Sequence, residues 1–165
     1  MTLAELNALQ DEDFVAVLAH IFEHSPEIPA AVAHQRPFSS LEALHQAMVD
    51  VIHRWDPAAQ IRLIQAHPDL GTRAAMAPAS VAEQAGVGLD RLSPEDYARF
   101  QHLNQTYRQR FGFPYVVAVK NHTQASILQD YEQRLDNDVT TEQTRALAEI
   151  AQIAWFRLQA LCPSH

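Results

Sequence analysis

The sequence predicts an all-α fold, a single-domain bundle of about eight helices with an irregular middle segment. Three observations predict it. Apolar residues recur at spacings of three and four along most of the chain, the period of a helix with one buried face. Helix-start signals, a Ser, Thr or Asp just ahead of Pro or Glu, punctuate the sequence. The four glycines all lie between Gly71 and Gly112, so the residue that helices disfavour and sharp turns favour is confined to the middle. The flanks, 1–66 and 120–165, therefore read as regular helix. The middle is where a functional loop on a rigid scaffold is expected.

Taken in order, Thr2 caps a short opening helix, and Asp11 is read as the cap of a second. In that second helix Phe14, Val17, Leu18, Ile21 and Phe22 form one apolar face, and Ser25-Pro26 stops it. A short helix follows near Glu27 to His34, ended by Pro37. Ser39 with Glu42 gives a capping-box pattern before a helix to about Arg54. Asp56-Pro57, a cap with proline at the first helical position, opens another to Ala66. Ser93-Pro94 repeats that signal and starts a long helix through Tyr97, Phe100, Leu103, Tyr107 and Phe111. Helices from about Thr123 to Leu135 and from about Thr140 to Leu161 complete the set. The last carries Leu147, Ile150, Ile153, Ala154, Leu158 and Leu161 on one stripe. Phe113 to Val119 is the one strand-like stretch. A lone strand has no partner for its backbone groups, so it reads as a buried extended segment or an irregular helix start.

The 165 residues suit one domain that buries roughly two-thirds of its unfolded surface. Composition is that of a globular chain, with 47% hydrophobic and 19% charged residues. No apolar run approaches the length of a membrane span. Met1 to Asn7 lacks the pattern of a signal peptide, and Cys162-Pro163-Ser164-His165 is not a peroxisomal address, so a cytoplasmic location is expected. Cys162 is the only cysteine, which rules out an intrachain disulfide, and it reads as a bystander. The formal charge of −8 argues against a nucleic-acid partner and requires locally placed donors for any anionic ligand. Eleven arginines accompany a single lysine, Lys120, which argues against a lysine Schiff base.

Four segments could carry chemistry. In His67-Pro68-Asp69-Leu70-Gly71, Pro68 pushes His67 out of helical geometry, where an imidazole can face a pocket and exchange protons near neutral pH. The plain alternative is a helix-terminating turn with a solvated histidine. Ser80-Val81-Ala82-Glu83-Gln84 is a capping box in form, yet it could also present Glu83 and Gln84 to a ligand from one short helix. Phe111-Gly112-Phe113-Pro114-Tyr115-Val116 either packs as core or walls a pocket, with Gly112 permitting close backbone approach. Arg157, between Phe156 and Leu158, either snorkels outward or clamps a carboxylate or ureido group with its planar fork. A fifth pattern, His20-Ile21-Phe22-Glu23-His24, has the residue order of one zinc-protease class and would set both histidines on one helical face. Ser25-Pro26 ends that helix at once, so the metal reading is set aside.

Together, these segments resemble the 2-oxo-4-hydroxy-4-carboxy-5-ureidoimidazoline (OHCU) decarboxylase family, bacterial type. The motifs that carry the resemblance are His67-Pro68-Asp69-Leu70-Gly71, Ser80-x-x-Glu83-Gln84, Phe111-Gly112-Phe113-Pro114 and Ile153-Ala154-Trp155-Phe156-Arg157-Leu158. Asn7-Ala8-Leu9 and Phe22-Glu23-His24-Ser25-Pro26 add to it, and it covers about Leu6 to Leu161. The resemblance implies an all-helical decarboxylase that converts OHCU to (S)-allantoin in urate breakdown, with no metal or organic cofactor, often as a homodimer. It also implies roles: His67 and Glu83 catalytic; Pro68, Ser80, Gln84, Phe111, Gly112, Phe113, Val116 and Arg157 around the substrate. His67 would move a proton, Glu83 and Gln84 would orient the ring and ureido groups, and Arg157 would meet an anion or carbonyl. Two rivals stand beside this reading: a non-catalytic helical binding or scaffold domain, and a hydrolase built on His20, Glu23 and His24.

Overall fold

A computed structural model of the chain describes residues 1–163, so Ser164 and His165 of the C-terminal tetrapeptide lie outside the described residues. The architecture is all-α, as the apolar spacing predicts, and no strand occurs among the described residues. The helices are α1 (Leu3–Ala8), α2 (Asp11–Leu18), α3 (Glu27–Val32), α4 (Leu41–Arg54), α5 (Pro57–Gln65), α6 (Pro78–Gly86), α7 (Pro94–Phe111), α8 (Gln124–Arg134) and α9 (Val139–Leu161). Single 3-10 turns cover Ala33–Gln35 and Val119–Asn121. Among the described residues, none of these helices is long and apolar enough to cross a membrane.

The chain groups into two compact units. The first comprises residues 1–63 with 151 onward. Its core is built from Leu6, Phe14, Leu18, Ile28, Val32, Leu44, Met48 and Ile52, with Ala154 and Leu158 from α9, all buried. The second spans Ile64–Ile150 and is centred on aromatic residues: Phe100, Tyr107, Phe113, Tyr115 and Tyr131 are fully or almost fully buried, with Ile127, Ala146 and Ile150 beside them.

Most helix starts act as the sequence signals them. Thr2 and Glu5 form a reciprocal capping box, with Thr2 Oγ1 accepting from Glu5 N at 3.1 Å and the Glu5 carboxylate accepting from Thr2 N at 2.7 Å. Asp56 accepts from Ala59 N (2.8 Å), Ser93 from Asp96 N (3.1 Å) and Thr123 from Ser126 N (3.2 Å). Each such cap satisfies a backbone donor that the helix itself leaves open, a contribution of about 1 kcal/mol. Two starts differ. Asp11 is the first helical residue, not the cap; Gln10 holds the cap position, and Asp11, Glu12 and Asp13 complement the positive end of the helix dipole. Ser40, not Ser39, caps α4, accepting from Ala43 N at 3.0 Å.

The second helix is also shorter than its apolar pattern suggests, ending at Leu18. Ile21, Phe22 and Glu23 are buried in succession, which no single helical face allows. The chain therefore turns through residues 19–24, with Ile21 N bonding back to Leu18 O at 3.1 Å and His24 at φ +47°. His20 and His24 consequently do not share a helical face, and the carboxylate between them is engaged by Arg157 at 2.7 Å. The zinc-protease order is coincidental.

Candidate active site

In the second unit α5 stops at Gln65, and His67 N closes the last turn onto Ile64 O at 3.1 Å. Pro68 then forces an extended departure. His67 is not solvated: the residue is only 5% exposed. The turn it opens is held by side chains from two helices. Gln84 of α6 accepts from Gly71 N (3.0 Å) and donates to Asp69 O (3.1 Å). Asn104 of α7 donates to Leu70 O at 2.9 Å, and Gln101 donates to Gly71 O at 3.1 Å. The Asp69 carboxylate receives Arg108 Nε at 2.9 Å. Every backbone group from Asp69 O to Gly71 O named here has a side-chain partner, so His67 is carried on a fixed support.

Gly71 must be glycine. Its φ is +64°, and a Cβ there would come within 2.8 Å of Leu92 Cδ1. Gly71→Ala is expected to lower stability by about 1–3 kcal/mol. Denaturant unfolding measures it, and an unchanged midpoint would contradict this turn geometry.

The helix α6 begins two residues earlier than Ser80, because Pro78 supplies a ready-made first helical φ and Ala77 is the cap residue. Ser80 is therefore not the cap of a capping box but a buried first-turn residue. Ser80 and Gln84, four apart, share the buried face, while Glu83 is half-buried beside them. Gln84 spends its amide on the 69–71 backbone and on Met76 Sδ (3.3 Å), so it supports the His67 turn directly.

The segment from Phe113 to Ala118 is extended and buried, as one of its two sequence readings has it. Gly112 is exposed and ends α7 in the left-handed conformation (φ +80°), its N–H bonding to Arg108 O at 2.9 Å. Gln65 Nε2 donates to Gly112 O at 3.0 Å. Phe111 and Phe113 pack on Tyr107, with ring centroids 4.5 and 6.1 Å away. The lone extended stretch finds its backbone partner in Arg134, whose Nη1 donates to Val116 O at 2.8 Å.

That arginine belongs to a buried network which the sequence reading missed. Arg134 Nε pairs with Glu142 at 2.7 Å, and the guanidinium lies 4.4 Å from the Tyr115 ring centroid. Tyr107 donates to the same Glu142 oxygen at 2.6 Å, Asn137 donates to the other at 2.9 Å, and Tyr115 donates to Asp130. Tyr131 donates to Asn104 at 2.6 Å and stacks on Tyr115, centroids 3.8 Å apart. A signal existed. Asn104 interrupts the apolar stripe of Phe100, Tyr107 and Phe111, and Arg134 falls on the face of Ile127 and Tyr131, so that Asn104 and Arg134 are polar residues at core positions.

Burial pushes the Tyr107, Tyr115 and Tyr131 hydroxyls well above the usual tyrosine range, and carboxylates beside them add to the shift. An unfolded chain releases these protons near pH 10, as given by about the free-tyrosine value. The stabilisation is thus intact below that pH and withdrawn as pH rises above it. In an alkaline titration these three hydroxyls should ionise together with the loss of helical ellipticity. Tyrosinate formed at the ordinary value in a still-helical protein would contradict their burial.

Arg157, the remaining sequence candidate, lies in the first unit. It is 7% exposed, and its guanidinium donates to Glu23 Oε1 at 2.7 Å and to His20 O at 3.0 Å. It does not snorkel outward. Its partner Glu23 was read from the sequence as part of the zinc-like pattern and of the Phe22-Glu23-His24-Ser25-Pro26 stretch, without a link to Arg157.

Known proteins are similar to this chain in sequence and in fold. The family model for OHCU decarboxylase matches residues 7–159. A 2-oxo-4-hydroxy-4-carboxy-5-ureidoimidazoline decarboxylase of Haloferax volcanii is 44% identical over 158 residues, covering 96% of this chain and 94% of its own. A uric acid degradation bifunctional protein of Bacillus subtilis is 42% identical over 157 residues, which is 95% of this chain and 32% of that protein. Among solved structures, an (S)-allantoin synthase superposes with a TM-score of 0.81 at 25% identity, over 98% of this chain and 54% of that one.

Proposed function

Because the chain belongs to the OHCU decarboxylase family, we propose that it removes CO₂ from OHCU to give (S)-allantoin in urate breakdown. The near-full-length identity to the Haloferax volcanii decarboxylase supports this most strongly. The names of the Bacillus subtilis and allantoin-synthase relatives are in keeping with the pathway and the product.

The substrate's chemistry fits a protein with His67 at a fixed turn. Its carboxylate sits on a carbon next to a ring imine. When the bond to CO₂ breaks, its electron pair forms a double bond to the ureido-bearing carbon, and the imine pair moves to nitrogen, which takes a proton. Loss of the hydroxyl proton and gain of one at the ureido-bearing carbon then give allantoin. The substrate is its own electron sink, so the reading calls for no cofactor. His67 takes the hydroxyl proton and delivers one to a single face of the new double bond. Glu83 orients the groups His67 acts on, and Pro68, Ser80, Gln84, Phe111, Gly112, Phe113 and Val116 shape the surroundings. Arg157, which also pairs with Glu23, serves a substrate carbonyl or anion in the same proposal. In the same proposal the protein is a cytoplasmic homodimer, which sedimentation at working concentration tests.

The test is release of CO₂ from carboxyl-labelled OHCU generated in situ, before and after dialysis against a chelator. Enzyme-dependent release that survives the chelator is expected. Release that stops and returns with added metal would overturn the cofactor-free mechanism, and no release at all would favour a helical binding domain.

A further inference from the structure

The turn behind His67 and the extended segment from Phe113 to Ala118 are joined by one buried side-chain chain. Leu70 O accepts from Asn104 Nδ2 (2.9 Å), and Asn104 Oδ1 accepts from Tyr131 Oη (2.6 Å). The Tyr131 ring then stacks on Tyr115 at 3.8 Å and 10°, and Arg134, over the Tyr115 ring, holds Val116 O at 2.8 Å. The direction of this chain is forced. A peptide carbonyl only accepts, so the Asn104 amide must turn its NH₂ toward Leu70 and its oxygen toward Tyr131. Tyr131 must therefore donate, which requires its protonated form. Burial together with the nearby Asp69 and Tyr107 keeps it so.

We propose that Asn104 and Tyr131 are positioning residues for the reaction, fixing the Leu70 peptide, and through it the His67 ring, in register with the Tyr115 segment. The proposal rests on the reading of His67 as the proton-transfer group. Asn104 and Tyr131 touch no reacting atom. Their effect is geometric: an imidazole displaced by a fraction of an ångström binds substrate as before but reacts more slowly.

Tyr131→Phe removes one hydroxyl and keeps the stacked ring. It should lower kcat about tenfold with KM within about twofold, the split expected for an effect on the transition state alone. Asn104→Ser, whose side chain is too short to span the gap, should do the same and serves if the first variant does not fold. Ile150→Val, a buried truncation in the same unit, supplies a comparison that is less stable yet keeps wild-type kcat. Wild-type kcat in Tyr131→Phe, or equal kcat losses in Tyr131→Phe and Ile150→Val, would overturn the proposal. The His67 imidazole resonances give a readout independent of turnover. Should the wild-type protein prove inactive, the functional reading fails, but the positioning remains testable. His67 resonances that move in Tyr131→Phe and stay put in Ile150→Val support it, and unmoved resonances in Tyr131→Phe refute it.

Discussion

Replacing His67 by asparagine is expected to lower the decarboxylation rate by about 10²–10⁴-fold, the range that a positioned proton-transfer group contributes. The side chain is nearly enclosed, and asparagine keeps a polar planar group of smaller size there. The turn itself is held through the backbone by Gln84, Gln101 and Asn104, so the fold should survive. Asparagine cannot cycle a proton near neutral pH. The loss should therefore fall on kcat, with substrate affinity and thermal midpoint close to wild type. Steady-state kinetics beside a melting curve separates the outcomes. Retained kcat would remove His67 from the mechanism, and a collapsed melting transition would make its role structural.

The second large effect concerns stability. Glu142 is fully buried and receives Arg134, Tyr107 and Asn137. Glu142→Ala would leave the Arg134 guanidinium in the core facing Val116 O, the Tyr115 ring and the more distant Asp130, 3.6 Å away. Breaking one partner of a buried pair costs about 3–5 kcal/mol, a large part of the roughly 5–15 kcal/mol that holds a domain folded. Replacing both charges by apolar groups is far less damaging. The double variant Arg134→Met, Glu142→Leu should recover much of the loss. Urea unfolding measures both, and a cost below about 1 kcal/mol for Glu142→Ala would mean that the pair is solvated.

What the sequence makes legible, and what it does not, follows from the range of the interactions. Local signals were readable: the Thr2, Asp56 and Ser93 caps bond as read, and the apolar stripes bury most of the residues they mark, with Val17, Tyr97, Leu147 and Leu161 half-buried. The break at His67-Pro68 is equally local. Competition between neighbours was harder to read. Pro78 outranks Ser80 as a helix start, Ser40 outranks Ser39, and three successive buried residues end α2 early. Pairings between distant residues were not legible at all. Nothing near Arg134 in sequence points to Val116 O, nor anything near Glu23 to Arg157, 134 positions away. For the candidate site, spacing alone left each motif ambiguous between packing and chemistry. Gln84 shows why, because its amide does structural work on the turn that carries His67.

The central claim, stereospecific decarboxylation, is tested most directly by circular dichroism. OHCU is generated in situ from urate, purified protein is added, and the optical activity of the allantoin formed is followed. The uncatalysed reaction gives a racemate. A growing signal of one sign, that of the (S) enantiomer, with faster decay of the intermediate is the predicted result. Unchanged decay with no optical signal would contradict it and leave the fold without this activity.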